Sequence, residues 1–236
     1  MTRHSKPRRS APPPELGPEA GPTFAEVLEQ AGLVAKVGKA TLDIIAYVNE
    51  AAVEHARVHL KVVSCYTCTV PACCSYTVSA FLYEAVPIAA RLLREGRDSP
   101  ELRAELQAAA HAMETTTKDR YQRPCVLLGA DGRCTIYEDR PSICGCHLVE
   151  SPASACADQG TADITLLSGP MVTAYQPDIE EQFCLAVGLR RLPVHYRGAL
   201  PRMVLLALQA WNRRDYVTFL AERGLPAAHR NAWATK

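Results

Sequence analysis

Residues 125–144 read CVLLGADGRCTIYEDRPSIC. Two short β-prone runs, CVLL and CTIY, flank Gly129-Ala-Asp-Gly132, a composition suited to a tight turn. This predicts a small hairpin that could bring Cys125 and Cys134, which bracket it, close together. Asp139-Arg-Pro-Ser follows, and Pro141 is placed to open a short helix. Cys144 then falls in or near the first turn. Free backbone N–H groups and the helix dipole there would favour a thiolate, the form that binds metal.

Working outward, the chain carries ten cysteines, and nine lie between Cys65 and Cys156. An upstream group, CYTCTVPACC at residues 65–74, holds Cys65, Cys68, Cys73 and Cys74. Two cysteines separated by two residues can turn both sulfurs into one site, a geometry used by tetrahedral zinc and by iron–sulfur clusters. The adjacent pair Cys73-Cys74 tends to send its side chains apart, so one of the two is the expected ligand. The downstream group is Cys125, Cys134, Cys144 and Cys146, with Cys156 beyond. Two groups about fifty residues apart and joined by helices suggest one composite centre that staples two parts of the chain. An isolated cysteine is as often a small buried hydrophobe, and Cys184, alone in a helical pattern, reads as core.

The rest of the composition narrows the class. In 236 residues, 48% are hydrophobic, 22% charged and 6% aromatic, with a formal net charge of +1. That is an ordinary globular balance with no bulk field for nucleic acid or a membrane surface. Apolar content resting on Ala, Leu and Val favours helices. No run approaches the ~20 apolar residues of a membrane span, and prolines replace the apolar core of a signal peptide. The expected compartment is the cytoplasm, where clustered cysteines are metal ligands or redox thiols more often than disulfides.

The expected fold is mainly α, a helical domain with a small cysteine-rich hairpin as its metal site. It would span residues 23–225, with the cysteine region at 65–156, between a disordered basic, Pro-rich tail at 1–22 and a frayed tail at 226–236. Thr23 and Glu26 form a capping box before Phe24, Val27, Leu28 and Ala31. Gly32 and Gly38 are potential breaks. A helix from Thr41 to about Leu60 would set Leu42, Ile45 and Val48 on one face, with His55 and His59 one turn apart. That histidine pair lacks the acid of a HExxH motif and reads as solvated or at the edge of the core. Further helices are expected over Thr77–Arg94 with a kink at Pro87, from Ser99-Pro100 to about Arg120, over Pro177–Leu189 and over Ala199–Leu220. The repeated alanines of the second suggest close packing against a neighbour. Asp215 and Arg213-Arg214 read as charged surface.

The two cysteine strings resemble the YkgJ-type cysteine-cluster family, zinc- or iron-chelating domains of the CxxCxxCC type. The likeness runs from CYTCTVPACC, through the helix with Glu84, to CVLLGADGRCTIYEDRPSIC, and covers roughly Cys65 to Cys156. Two departures stand out. Four residues, Thr69 to Ala72, precede the Cys-Cys pair where the family usually has two. Gly145 follows Cys144 where the family usually has a basic residue. The resemblance implies metal binding at Cys65, Cys68, Cys73 or Cys74, Cys125, Cys134 and Cys144, with Cys156 as an addition.

Thiolates suit zinc and iron–sulfur clusters alike. One zinc or one cubane cluster needs about four ligands, so six or seven matching thiols mean two metals or spare redox cysteines. Only one pair has the two-residue spacing usual for structural zinc. Hence we expect an iron–sulfur cluster or iron with a redox or metal-dependent role. The alternatives are a structural zinc presenting the helices to a protein partner, or a metal-handling protein. Arg140 could neutralise thiolate charge, with Tyr137, Glu138 and Pro141 supporting it. Glu84 reads as a solvated helix residue. His147 could be a ligand, a proton carrier or surface. The motifs of common hydrolases, NTPases and dehydrogenases are absent, and no catalytic residue is identified.

Overall fold

The sequence opens its first helix where Thr23 predicts. In the computed structural model Thr23 Oγ1 accepts from Glu26 N at 3.3 Å, and the Glu26 carboxylate accepts from Thr23 N at 2.7 Å. The structure describes residues 21–61, 63, 72–116, 121, 123–150, 156, 176–190 and 196–224. Both expected tails fall essentially outside the described residues, as do Cys65 and Cys68.

Helix α1 (Phe24–Gln30) stops at Gly32, whose φ of +61° is the left-handed geometry that glycine adopts without penalty. Helix α2 (Leu33–Val58) then runs for 26 residues, straight through Gly38. Its buried positions are Leu33, Val37, Thr41, Ile45, Ala52 and Ala56. The expected face was therefore one residue out of register at its start: Thr41 is buried and Leu42 is exposed. Phe24, fully buried, is ringed by Phe183, Trp211 and Tyr216, with centroids 5.4–6.4 Å away.

The helix expected over Thr77–Arg94 begins later, because its first residues pair instead. Strand β1 (Ser79–Phe81) runs antiparallel to β2 (Arg197–Ala199), with Ser79 opposite Ala199 and Phe81 opposite Arg197. Each strand leads directly into a helix, α3 (Leu82–Arg94) and α7 (Leu200–Ala210) respectively. A helix leaves its first N–H groups without partners, and here each strand's approach supplies one. Leu82 N donates to Tyr196 O at 2.7 Å, and Leu200 N donates to Val78 O at 2.8 Å. The two central helices thus start side by side, each capped by the chain entering the other.

Helices α3 and α7 form the middle of the main core, which holds Leu82, Val86, Ala89, Leu92, Val204, Ala207 and Leu208. Pro87 is accommodated inside α3. Helix α4 (Pro100–Thr115), capped by Ser99 Oγ on Leu102 N, buries Leu106, Ala109 and Ala110 and packs on α7, the close contact its alanines predict. Helix α5 (Ser142–Cys146) is short, and α6 (Pro177–Val187) ends at Gly188. The helix expected over Ala199–Leu220 divides into α7 and α8 (Tyr216–Arg223) around a turn in which Arg213 grips Asp215 with two hydrogen bonds. The architecture is mainly helical. No helix among the described residues is long and apolar enough to cross a membrane.

Candidate metal centre

Three short segments carry six of the eight described cysteines: the hairpin, the turn with Cys73 and Cys74, and the helix with Cys144 and Cys146. The hairpin comes first. Its turn follows the predicted glycines: Gly132 has φ +74°, Gly132 N donates to Gly129 O, and Gly129 N donates to Arg133 O at 2.8 Å. Ladder pairing is confined to a single bridge between Leu128 and Cys134, because the chain curls into a turn before it and a 3-10 turn (Tyr137–Asp139) after it. Leu127 and Ile136 sink into the main core at 2% exposure each. Polar ties complete the anchorage. Arg97 donates to Thr135 Oγ1 at 2.8 Å, and Arg91 reaches Asp139 at 3.1 Å and Glu138 at 3.5 Å.

The hairpin then meets the upstream group through the backbone. Cys73 and Cys74 lie in a 3-10 turn (Ala72–Ser75), and Cys125 N donates to Cys74 O at 2.7 Å. The third segment is α5, which carries Cys144 and Cys146. Its anchor is Glu84, expected to be solvated but only 2% exposed. Glu84 Oε2 accepts from Phe81 N at 3.0 Å, and Oε1 accepts from both Ser142 N (2.9 Å) and Ser142 Oγ. The carboxylate thus caps α3 and α5 together. On the other side α5 presses its Gly145 against Ile45 of α2. A Cβ at Gly145 would stand 2.5 Å from the Ile45 side chain, so the basic residue usual at this place would displace the helix.

These anchors bring Cys73, Cys74, Cys125, Cys134 and Cys144 within electrostatic reach of one another. Cys125 and Cys134 share a local pattern. Burial raises both thiols above the ordinary value, and the backbone N–H two residues on, Leu127 for one and Ile136 for the other, works against it in favour of the charged sulfur. Cys74 donates its S–H to Cys73. This pushes Cys73 down to about 6, with backbone N–H groups and Arg140 adding to the effect, and pushes Cys74 up. Cys144 is the correction. Burial and the neighbouring thiols push it well above the ordinary thiol value, outweighing any help from a five-residue helix. Burial and Glu84 likewise push Cys146 up to about 11.

Arg140 stacks over Tyr137, 4.0 Å from the ring centroid. Its charge is felt at Cys73, where it adds to the lowering, and at Cys134 and Cys146, where it works against the burial that raises them. His147 is half-buried beside Tyr76, and burial lowers its pKa. Tyr76 Oη donates to Cys156 O at 3.3 Å, so buried Cys156 borders the centre. Cys184 lies apart in the main core at 2% exposure. Sequence reasoning missed Ser142 and Tyr121. Ser142 sits inside the RPSIC string, but only its burial shows its task. Tyr121, 2% exposed, has a hydroxyl with no hydrogen-bond partner among the described residues and lies within electrostatic reach of Cys125. Among the described residues no three His, Cys, Asp or Glu side chains close on a point that could hold a metal ion.

Residues 64–160 match the CxxCxxCC family, whose description is "Putative zinc- or iron-chelating domain". This segment, under half of the chain, is similar to the CxxCxxCC domain. The match spans both cysteine groups and the helices between them, and its limits enclose Cys65 and Cys156. No curated protein and no solved structure matches the chain.

The donor set of the matched segment fits such a metal. Thiolates select zinc, cuprous copper and iron–sulfur clusters over the hard cations that take oxygen ligands. The paired N–H groups at Cys125 and Cys134 and the guanidinium of Arg140 favour the charged sulfur. The Tyr121 hydroxyl, without a partner among the described residues, is a donor from which a metal-bound thiolate at Cys125 could accept.

Proposed function

We propose that the matched segment holds iron, as an iron–sulfur cluster or as thiolate-bound iron, with a redox or metal-dependent role. The ligands would come from Cys73 or Cys74, Cys125, Cys134 and Cys144, with Cys65, Cys68 and Cys156 completing the set. The observation that carries this reading is the repeated N–H donor at Cys125 and Cys134. Hydrogen bonds to ligand sulfurs stabilise their charge and set the potential of an iron–sulfur centre. A bound centre of this kind supplies an electron-accepting site, while the chain's own part is to hold the sulfurs and shield them.

The alternative is a structural zinc. It is favoured by the way the centre joins three segments, the turn at Cys73-Cys74, the hairpin and α5, so that binding would couple to folding. Metal and acid-labile sulfide analysis, with an absorbance spectrum on protein purified without oxygen, separates the two. Iron with sulfide and broad visible absorbance, bleached in Cys125→Ala and Cys144→Ala, supports the iron reading. Stoichiometric zinc without colour sinks it and leaves the staple.

A further inference from the structure

Outside the thiol centre, metal-ligating side chains come together at the end of α2. His55 stands in its last turn and His59 is the residue that caps it, four positions on, with ring centroids 4.3 Å apart and planes inclined by 45°. On a helix, residues four apart project over the same strip of surface. The 26-residue helix carries His55, and His59 caps its end, its backbone N–H donating to His55 O at 3.0 Å. His55 is half-buried and His59 exposed, so one face of the pair is open to solvent. The carboxylate that might compete for a ring is engaged elsewhere, since Glu54 is held by Arg57 through bonds of 2.9 and 2.7 Å. Among the described residues neither imidazole has a hydrogen-bond or ion-pair partner.

The location also suits a cation. The pair sits where the last helical carbonyls end, the negative pole of the helix dipole. Leu60, with φ +53°, breaks the helix immediately afterwards. Two imidazoles side by side offer ring nitrogens, the donor type that suits zinc, nickel and cupric copper.

We propose that His55 and His59 form a bidentate surface site for a divalent first-row cation such as zinc or nickel, with water completing its shell, separate from the thiol centre. Five residues lie between His59 and Cys65, so even a fully extended chain keeps the site within roughly 20 Å of the first cysteine of the matched segment.

The test is a nickel(II) titration of the full chain whose thiols have first been saturated with zinc, read by paramagnetic broadening of histidine ring protons and by equilibrium dialysis. Two histidine signals should broaden together at the first substoichiometric additions, and both should be absent from the spectra of H55Q/H59Q. That double variant should lose one equivalent of bound nickel. The single variants H55Q and H59Q should each lose the joint broadening, while H111N, altered at an exposed histidine of α4, keeps it. Unchanged nickel uptake in H55Q/H59Q, or first broadening at other histidines, overturns the proposal. Circular dichroism confirms that the surface variants remain helical. Because nickel is read at histidine, the result is independent of whether the thiols hold iron or zinc.

Discussion

Glu84 on α3 accepts both the backbone N–H and the hydroxyl of Ser142 on α5, across 58 residues of sequence. The same carboxylate accepts from Phe81 N. One buried group therefore sets the start of the helix that carries Cys144 against the helix that anchors the hairpin. Glu84→Gln keeps the shape but turns an N–H₂ toward at least one donor. Leaving a buried donor unsatisfied costs about 1–3 kcal/mol, so the urea midpoint of E84Q should fall and its metal should dissociate faster. Ser142→Ala removes only the hydroxyl and should cost about 1 kcal/mol.

The pH dependence of that strut has a definite sign. Burial raises the Glu84 pKa above the ordinary carboxylate value. The folded state therefore keeps its proton after the unfolded state has lost it, and stability falls as pH rises through that interval. Wild type should lose ground relative to E84Q as pH climbs from the ordinary carboxylate range to the raised value. Urea unfolding of metal-free protein at a series of pH values checks this, and a gap that widens with pH would refute it.

Cys73 should be the first of the described thiols to react. It is exposed, and its pKa is pushed down to about 6. In metal-free protein its alkylation by iodoacetamide should rise through about pH 6 and level off near neutrality, because the thiolate is the nucleophile. Cys146, pushed up to about 11, and Cys144 should lag far behind. Peptide mapping by mass spectrometry gives the order, and bound metal should protect Cys73.

Gly145→Ala tests the seat of α5. The added methyl meets Ile45 at 2.5 Å, and overpacking of this kind typically costs about 1–3 kcal/mol. Metal retention should drop with stability. Ile45→Ala in the same chain should restore retention, since it clears the contact. Failure of the double variant to recover would mean that α5 does not depend on this contact.

Tyr121→Phe should act in opposite directions on the two states. Without metal, removing a buried hydroxyl that lacks a partner among the described residues is neutral or stabilising by about 1 kcal/mol. With metal, loss of a donor to the Cys125 thiolate should speed release of metal to a chelator. Thermal unfolding and chelator-exchange rates measured on both forms separate the effects. Equal release rates would place the hydroxyl outside the centre.

Much of this protein was legible in local sequence. Thr23 and Glu26, Ser99 and Pro100, and Gly129 with Gly132 each act within a few residues, so capping and turn chemistry alone set α1, α4 and the hairpin turn. The cysteine strings likewise marked the segment that matches the CxxCxxCC family, since cysteine spacing is a local property. Other features arise only when distant segments meet. The start of α3 moved to Leu82 because β1 found β2 more than a hundred residues away. Glu84 looked solvated because its partner lies in another helix, and Cys144 looked acidic because a helix start is visible in sequence whereas burial is not. Gly145 looked like a missing charge until Ile45 came into contact with it. Local chain geometry is written in neighbouring residues; desolvation, packing and the environment of each thiol depend on what the fold places around them.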